Sequence, residues 1–251
     1  QPNGLLWAQK DRTALTWMNA YIDGFPVTER AGYQVETNAF WYDMLCFAIE
    51  MESKYGRKAS GFVEKWSPVR AMVAENYQKM FWMPDKGYLA DYVDNNGQNT
   101  DVRPNQLFAL AVHHQPVDDA VLGSMMNVVD RELVTSRGIR TLSPRDLKYR
   151  GVYEGTQRER DLAYHQGCAW PALLLPYARI KFRMDGAAFC KRAEWLMEGF
   201  YDDLNKHGVG MFSELYDGDP PHEPHGAISS AMSTAALLYV ENLINKYKEE
   251  R

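Results

Sequence analysis

The acidic residues of one long loop are the first candidates for chemistry in this sequence. Glu214 and Asp217 lie in the run SELYDGD, at residues 213–219. A carboxylate there could activate water or attack a glycosidic carbon, and glycoside hydrolysis needs two carboxyl groups, roughly 6.5–9.5 Å apart for inversion and about 5–5.5 Å apart for retention. A solvated acidic turn would explain the same residues, because their spacing is unlike that of a calcium-binding loop.

A second stretch combines a carboxylate with ring, amide and indole groups. The run from Asp161 to Pro171 reads DLAYHQGCAWP and passes directly into an apolar segment. The same mixture recurs beside other helical segments, at Val35–Tyr42, Asp101–Gln106 and Phe212–Gly218. Four such loops predict one cavity at the end of a helical array. Aromatic residues make up 13% of the chain, and indole and phenol rings beside carboxylates favour sugar binding.

Composition and charge exclude several other functions. The formal net charge of −5 and the lack of a basic stripe argue against a nucleic-acid partner. No apolar run approaches the roughly 18 residues that cross a bilayer, so we expect no membrane partner. The three cysteines, Cys46, Cys168 and Cys190, have apolar neighbours and are expected to be buried thiols. No CxxC or HExxH pattern occurs and the histidines are irregularly spaced, so neither a metal site nor a cofactor is predicted.

Helical periodicity covers most of the chain and predicts an all-α class, with residues 1–251 as a single domain. Gly87–Val93 is the one strand candidate, and Asp94–Gly97 is a turn. Residues 135–156 and 208–226 are predicted to be long loops. The seven predicted helices are 36–55, 61–82 with a break or restart at Pro68, 105–113, 117–134, 170–182, 186–205 and 227–247.

Five groups of residues, in order along the chain, carry a resemblance to a known family. They are Leu15–Met18 (LTWM), Val35–Tyr42 (VETNAFWY), Arg103–Leu110 (RPNQLFAL), Arg137–Pro144 (RGIRTLSP) with Tyr149–Gly155, and Ala163–Pro171 (AYHQGCAWP) with Ser213–Gly218 (SELYDG). Together they cover nearly the whole chain. The sequence resembles the C-terminal amylo-α-1,6-glucosidase part of glycogen debranching enzymes.

The resemblance implies an α/α toroid of the (α/α)6-barrel type, in which twelve helices form an inner and an outer ring. Seven helices cannot close such a ring, so the chain is expected to be the C-terminal half of a barrel, with one short strand or hairpin. Its partner would then be the missing N-terminal half, or a second copy in a homo-oligomer, because an open array exposes apolar surface. A compact, self-contained variant is the alternative.

The resemblance also implies roles for individual residues. Glu214 matches the family's general base, and the general-acid position, after Thr-Trp-Met, is occupied by Asn19. An amide has no proton to donate with a useful pKa, so Asp23 or Asp161 would have to replace it as the acid. Expected to bind substrate are Trp17, Glu36, Asn38, Trp41, Arg103, Asn105, Gln106, Arg140, Tyr164, His165, Gln166 and Trp170.

The function that follows is a cytoplasmic glycoside hydrolase of glycogen catabolism that acts on branched α-glucan and releases glucose from α-1,6 branch stubs. Because of Asn19, the alternative is a non-catalytic α-glucan-binding module that keeps the family pocket and lacks the acid. A third interpretation is another α/α-toroid enzyme, such as a trehalase-like protein.

Overall fold

The computed structural model describes residues 1–57 and 60–249. In these ranges it contains eight α-helices: α1 (Val35–Tyr55), α2 (Phe62–Phe81), α3 (Gln106–Ala111), α4 (Leu122–Glu132), α5 (Gln157–Tyr164), α6 (Leu174–Asp185), α7 (Cys190–Tyr201) and α8 (Ala231–Glu249). The mainly helical class is therefore confirmed. The helix of 36–55 is confirmed almost to the residue, whereas the segments predicted at 117–134, 170–182, 186–205 and 227–247 each begin several residues later as α-helix.

The expectation of one strand or hairpin was wrong. Among the described residues there are twelve strands of two or three residues: β1 (Tyr21–Ile22), β2 (Phe25–Pro26), β3 (Tyr33–Gln34), β4 (Trp82–Met83), β5 (Tyr88–Leu89), β6 (Tyr92–Asp94), β7 (Gly97–Gln98), β8 (Val134–Thr135), β9 (Gly138–Arg140), β10 (Ala169–Trp170), β11 (Leu215–Tyr216) and β12 (Pro224–His225). Strands this short are invisible to a test for alternating polarity, which needs four or more residues.

Two further predictions were wrong for local reasons. Pro68 lies inside α2 and neither breaks nor restarts it, although proline removes one N–H bond from the ladder. None of the seven predicted helices covers residues 157–164, but these residues form α5, whose first turn is held by a capping box. Thr156 accepts a hydrogen bond from the Glu159 N–H, and the Glu159 carboxylate accepts one from the Thr156 N–H. This is the Thr-x-x-Glu signature of a helix start.

The chain divides into two compact units, and the single domain of residues 1–251 stays a prediction. The first unit comprises residues 1–19, 29–101 and 105–128. In it α1 packs against α2 and α3, burying Val35, Ala39, Leu45 and Ile49. The antiparallel sheet β3-β6-β7 and the hairpin β4-β5 complete the unit.

A buried charge cluster lies at the start of α1 in this first unit. The Arg30 guanidinium is bonded to both carboxylate oxygens of Glu36, and its Nε lies 2.6 Å from Asp91 Oδ2. Asn105 Nδ2 donates to Asp91 Oδ1 at 2.7 Å, and Trp17 Nε1 donates to Asn105 Oδ1 at 2.7 Å. Burial disfavours the cation, but the charges of Asp91 and Glu36 outweigh burial and raise the pKa of Arg30. The cation therefore stays charged inside the unit.

The second unit comprises residues 20–28, 102–104 and 129–251. It contains a five-stranded antiparallel sheet in the order β12-β11-β10-β9-β8. Ala169 of β10 pairs with Arg140 of β9 and with Tyr216 of β11. Gly138 has φ +127, and a Cβ there would lie 2.6 Å from the carbonyl carbon of Trp170. Only glycine lets β9 approach β10 this closely. Helices α6, α7 and α8 pack together in the same unit.

Removing the Arg30 cation should destabilise the first unit strongly. Arg30→Met leaves two buried carboxylates without a counter-charge, and breaking a buried ion pair in this way costs about 3–5 kcal/mol. Lys79→Met is the matched control, because Lys79 pairs with Glu75 while both side chains are 67% exposed, and such a pair contributes about 0–1 kcal/mol. Urea unfolding followed by circular dichroism measures both variants. Equal midpoints for the two would contradict a structural role for the cluster.

Candidate active site

Glu214 lies in the second unit, immediately before β11, and its carboxylate is held at both oxygens. The Tyr164 hydroxyl donates to Oε1 at 2.8 Å, and the Ala227 N–H donates to Oε2 at 3.0 Å. Pairing of β11 with β12 brings the Ala227 backbone to this position, and the Glu214 N–H donates to the Ala227 carbonyl at 2.9 Å. The side chain is half-buried. An oriented, partly accessible carboxylate has the geometry that a general base requires.

Aromatic rings surround Tyr164, the residue that contacts Glu214. Its ring centroid lies 5.0 Å from Trp170, 4.6 Å from His165 and 5.9 Å from Tyr153. The Trp170 indole N–H donates to the Tyr164 carbonyl at 3.2 Å. Burial raises the pKa of Tyr164, and the hydrogen bond to Glu214 raises it further. Tyr164 is therefore a neutral donor at working pH. The structure brings together three predicted substrate-binding residues, Tyr164, His165 and Trp170, and places them beside the predicted base.

Asp217 and Asp219, the other acidic residues of the SELYDGD run, bond to neighbouring residues of the second unit. Asp217 is buried, and its Oδ1 accepts from the Tyr153 N–H at 2.7 Å and lies 3.0 Å from His225 Nε2. Asp219 accepts from the Tyr149 hydroxyl at 2.8 Å. Two of these partners, Tyr149 and Tyr153, lie in the Tyr149–Gly155 part of a family motif, which was their only signal in the sequence. No motif pointed to the third partner, His225.

Arg140, Arg103 and Gln166 link the loops of the second unit. Arg140 Nε donates to the Gly218 carbonyl at 2.8 Å, which joins β9 to the Glu214 loop. Arg103 is buried and donates to the His165 carbonyl at 2.9 Å and to Gln166 Oε1 at 2.7 Å. Gln166 Nε2 donates to the Val27 carbonyl at 3.3 Å. These three predicted substrate-binding residues hold the backbone segments that carry Tyr164 and Glu214.

The two carboxylates considered as replacement acids have different surroundings. Asp161 lies three residues before Tyr164 on α5, so both lie on one helix face. Its Oδ1 accepts from Gln157 Nε2 at 2.7 Å. Burial raises the pKa of Tyr153, and the nearby charges of Asp161 and Glu214 both contribute to the rise. Asp23 lies in the turn between β1 and β2, where its side chain is 74% exposed and paired with Arg158.

The predicted site residues of the first unit are mostly engaged within it. Glu36 is buried and holds Arg30 with both oxygens. Asn105 bridges Trp17 and Asp91. Asn19, at the family's acid position, is exposed.

Three more residues of this unit bond to its backbone. Asn38 is buried, accepting from the Leu6 N–H at 2.7 Å and donating to the Leu6 carbonyl at 3.1 Å. Trp41 Nε1 donates to the Gly4 carbonyl at 3.0 Å. Gln106 Oε1 accepts from the Leu89 N–H at 3.4 Å. These contacts give Asn38, Trp41 and Gln106 a structural role in this unit.

Within residues 1–57 and 60–249, no group of three or more His, Cys, Asp and Glu side chains is placed to hold a metal ion. No helix there has the length and apolar character to cross a bilayer. Cys46, Cys168 and Cys190 are buried thiols outside any disulfide, as predicted.

Solved structures of glycosidases share this fold. A neutral trehalase from Saccharomyces cerevisiae matches with a TM-score of 0.63 at 12% identity, covering 85% of this chain and 38% of the trehalase. A GH63 mannosylglycerate hydrolase from Thermus thermophilus, solved with glucose, matches with a TM-score of 0.58 at 13% identity, covering 85% of this chain and 48% of the hydrolase. Both are α/α-toroid folds, so the chain has a mainly helical, toroid-like fold with several strands.

Sequence comparison indicates the family. The glycogen debranching enzyme of Saccharomyces cerevisiae is 24% identical in a match that covers 86% of this chain and 17% of the yeast enzyme. This chain therefore spans less than half the length of the yeast debranching enzyme, of the trehalase and of the mannosylglycerate hydrolase. The family model described as amylo-alpha-1,6-glucosidase matches residues 1–239. The chain belongs to the amylo-alpha-1,6-glucosidase family, a family of glycoside hydrolases.

Proposed function

We propose that this chain is the part of a glycoside hydrolase that releases glucose from α-1,6 branch stubs of a branched α-glucan such as glycogen or a limit dextrin. The clamped carboxylate of Glu214 carries this proposal, because it stands at the family's base position with one donor on each oxygen. The similarity to a yeast glycogen debranching enzyme supports the choice of substrate. The cytoplasmic location proposed with it is supported by three buried cysteines outside any disulfide.

The proposed reaction is hydrolysis with inversion. Glu214 takes a proton from a water molecule whose oxygen attacks the anomeric carbon, while a carboxylic acid protonates the glycosidic oxygen of the departing glucan. One C–O bond forms and one breaks, and the proton removed by Glu214 balances the proton given by the acid. The aromatic rings around Tyr164 offer the apolar faces against which a pyranose ring packs.

The acid is proposed to be Asp161 in preference to Asp23. Asp161 shares a face of α5 with Tyr164, which bonds directly to Glu214. The Tyr153 ring, in contact with Tyr164, lies within the electrostatic influence of both Asp161 and Glu214. Asp23 is mostly exposed and neutralised by Arg158. This ranking reverses the order expected from the sequence, where Asp23 came first.

A second candidate function is favoured by one observation, the amide at position 19. If no other carboxyl group replaces the family's acid, the pocket binds α-glucan without cleaving it. Trp170 and Arg140 of the second unit would still supply a ring face and a cation for sugar recognition. The two functions differ only in whether a proton donor exists.

The proposed partner is the remaining part of the barrel or a second copy of the chain. The exposed face of α1 carries five large apolar side chains, spaced by four, three, four and four residues: Phe40, Met44, Phe47, Met51 and Tyr55, which are 39–77% exposed. On α8, Met232 and Leu238 are more than half exposed. Apolar stripes of this length favour association.

Glu214→Gln in the intact enzyme should lower glucose release from a branched dextrin by about 10²–10⁴-fold, the contribution of positioned acid–base catalysis. The amide keeps the size of the side chain and cannot take a proton. Glu198→Gln, an exposed carboxylate on α7, is the control and should keep parental turnover. Near-full turnover by Glu214→Gln would remove this residue as the base.

Asn19→Asp decides between the two candidate functions. If Asp161 is the acid, the substitution gives no gain and Asp161→Asn abolishes glucose release, whereas Asp23→Asn leaves it close to the parental level. If the parent lacks an acid, Asn19→Asp raises glucose release by orders of magnitude, and the binding-module function replaces the hydrolase. Binding of short α-glucans, measured by calorimetry, should survive in all three variants.

The chain alone is expected to associate through its apolar stripes, and light scattering should give a dimer or a larger assembly. Replacing Met44 and Phe47 by Glu adds two negative charges to the α1 stripe and should shift the assembly toward monomer. Lys86→Glu changes the net charge equally at another exposed position of the first unit and should leave assembly unchanged. A strictly monomeric parent would rule out the second-copy proposal.

A further inference from the structure

Tyr164 reaches Glu214 from a helix fifty residues earlier in the chain. We infer that Tyr164 is a positioning residue for the base: its hydroxyl fixes the plane of the Glu214 carboxylate. The inference rests on the proposed function of Glu214 and adds a second residue to its mechanism. The residues that carry it all belong to the second unit.

Two hydrogen-bond donors hold the Glu214 carboxylate, one on each oxygen. Rotation about the last torsion of a glutamate is broad and roughly two-fold, so one hydrogen bond leaves the carboxylate plane loosely defined. Tyr164 binds Oε1 and the Ala227 N–H binds Oε2, and two donors on different oxygens define that plane. A carboxylate has about four lone-pair sites, so sites remain for a water molecule.

Tyr164 is itself held in place by its helix and by Trp170. It is the last residue of α5, whose start carries the Thr156 capping box. The Trp170 indole donates to the Tyr164 carbonyl, and the Trp170 ring meets the Tyr164 ring at an interplanar angle of 72°. The hydroxyl is therefore delivered from a fixed ring, and its hydrogen bond does not require ordering a mobile side chain.

The backbone of Gly226 and Ala227 lies against the other carboxylate oxygen of Glu214, Oε2. Gly226 has φ +73, and a Cβ there would lie 2.5 Å from Glu214 Oε2. A side chain at residue 226 would displace the carboxylate from the Ala227 N–H. Tyr164 and the Gly226–Ala227 backbone therefore act as the two sides of a clamp on the carboxylate, one bonded to each oxygen.

The charge of the clamp depends on its neighbours. Burial raises the pKa values of Tyr153, Tyr164 and Cys168, so these groups are neutral donors at working pH. Burial also lowers the pKa of His222, whose Nδ1 lies 2.8 Å from the Asp217 carbonyl. The other titratable groups around the clamp are Asp161 on α5, His165 after it, Asp217 after β11 and His225 on β12. Tyr164 is therefore a neutral side chain that donates a hydrogen bond to the Glu214 carboxylate.

Tyr164→Phe removes the hydroxyl and keeps the ring. In the intact enzyme we expect kcat on a branched dextrin to fall roughly 10–100-fold, the value of one hydrogen bond to a charged group, with KM little changed. In the Glu214→Gln background the same substitution should cause no further fall, because a residue that acts through the base has nothing left to position. A loss of folded protein would lower the rate by the same factor in both backgrounds.

Tyr153→Phe is the matched control. Tyr153 contacts the Tyr164 ring, and it meets Asp217 through its backbone N–H, which the substitution retains. Because the ring is retained, any fall in kcat should be the same in the parent and in the Glu214→Gln background. A fall as large as that of Tyr164→Phe that disappears in the Glu214→Gln background would show that any local change acts through Glu214 and would overturn the inference.

Glu214→Gln separates this inference from the proposed function. If Glu214→Gln is strongly impaired while Tyr164→Phe keeps parental kcat, or loses the same factor in both backgrounds, Glu214 stands as the base and the positioning role falls. If Glu214→Gln keeps parental turnover, or the parent releases no glucose, both the base and its positioning residue are wrong. Strong impairment of Glu214→Gln, together with a Tyr164→Phe loss that disappears in that background, supports both.

Discussion

The first unit depends on satisfying one buried cation. A guanidinium removed from water without partners would cost several kcal/mol, and Arg30 avoids this cost by binding Glu36 and Asp91. The three residues come from the segment before α1, from the first turn of α1 and from the segment between β5 and β6. Their chain separations of six and sixty-one residues mean that satisfying the cation also sets where α1 begins relative to the β-strands. Asn105 and Trp17 extend the same network to α3 and to the Leu15–Met18 motif.

The second unit orients a partly accessible carboxylate, that of Glu214. Backbone pairing contributes most to this orientation. Gly138 allows the close approach of β9 to β10, and β11 pairs with β12, so the loops that follow these strands lie beside each other. Arg103 and Arg140 then join loop carbonyls across the sheet. Residues expected from sequence to grip a sugar therefore include some that hold the backbone of the site. Both roles fit long, polar residues at loop ends, which is why motif matching alone does not separate them.

The sequence predicted the long helices well because their apolar faces repeat over five or more turns, as in α1 and α8. Helix α5 was missed because its eight residues, QRERDLAY, are mostly polar, although Thr156 and Glu159 carried the start signal. Of the site, Glu214 and Tyr164 could be identified through the family motifs, but their contact could not, because it joins positions fifty residues apart. Glu36 shows the opposite outcome. Its place in the first turn of α1 was predicted, whereas its partner Arg30 lay in a segment with no helical or strand pattern.

The clamp on Glu214 bears on the question posed by Asn19. Two donors on different oxygens orient the carboxylate, so the arrangement is useful where the direction of its lone pairs matters. Removal of a proton from a water molecule aligned with an anomeric carbon is such a case, because misplacement by about 1 Å can cost a factor of 10² in rate. Sugar recognition alone needs less, since a hydroxyl group rotates to meet an acceptor. A rigid ring, an indole donor and an obligatory glycine around one carboxylate therefore favour the proposed catalytic role of Glu214. That role requires a proton donor across the sugar from Glu214, and Asp161 on α5 is the residue proposed for it.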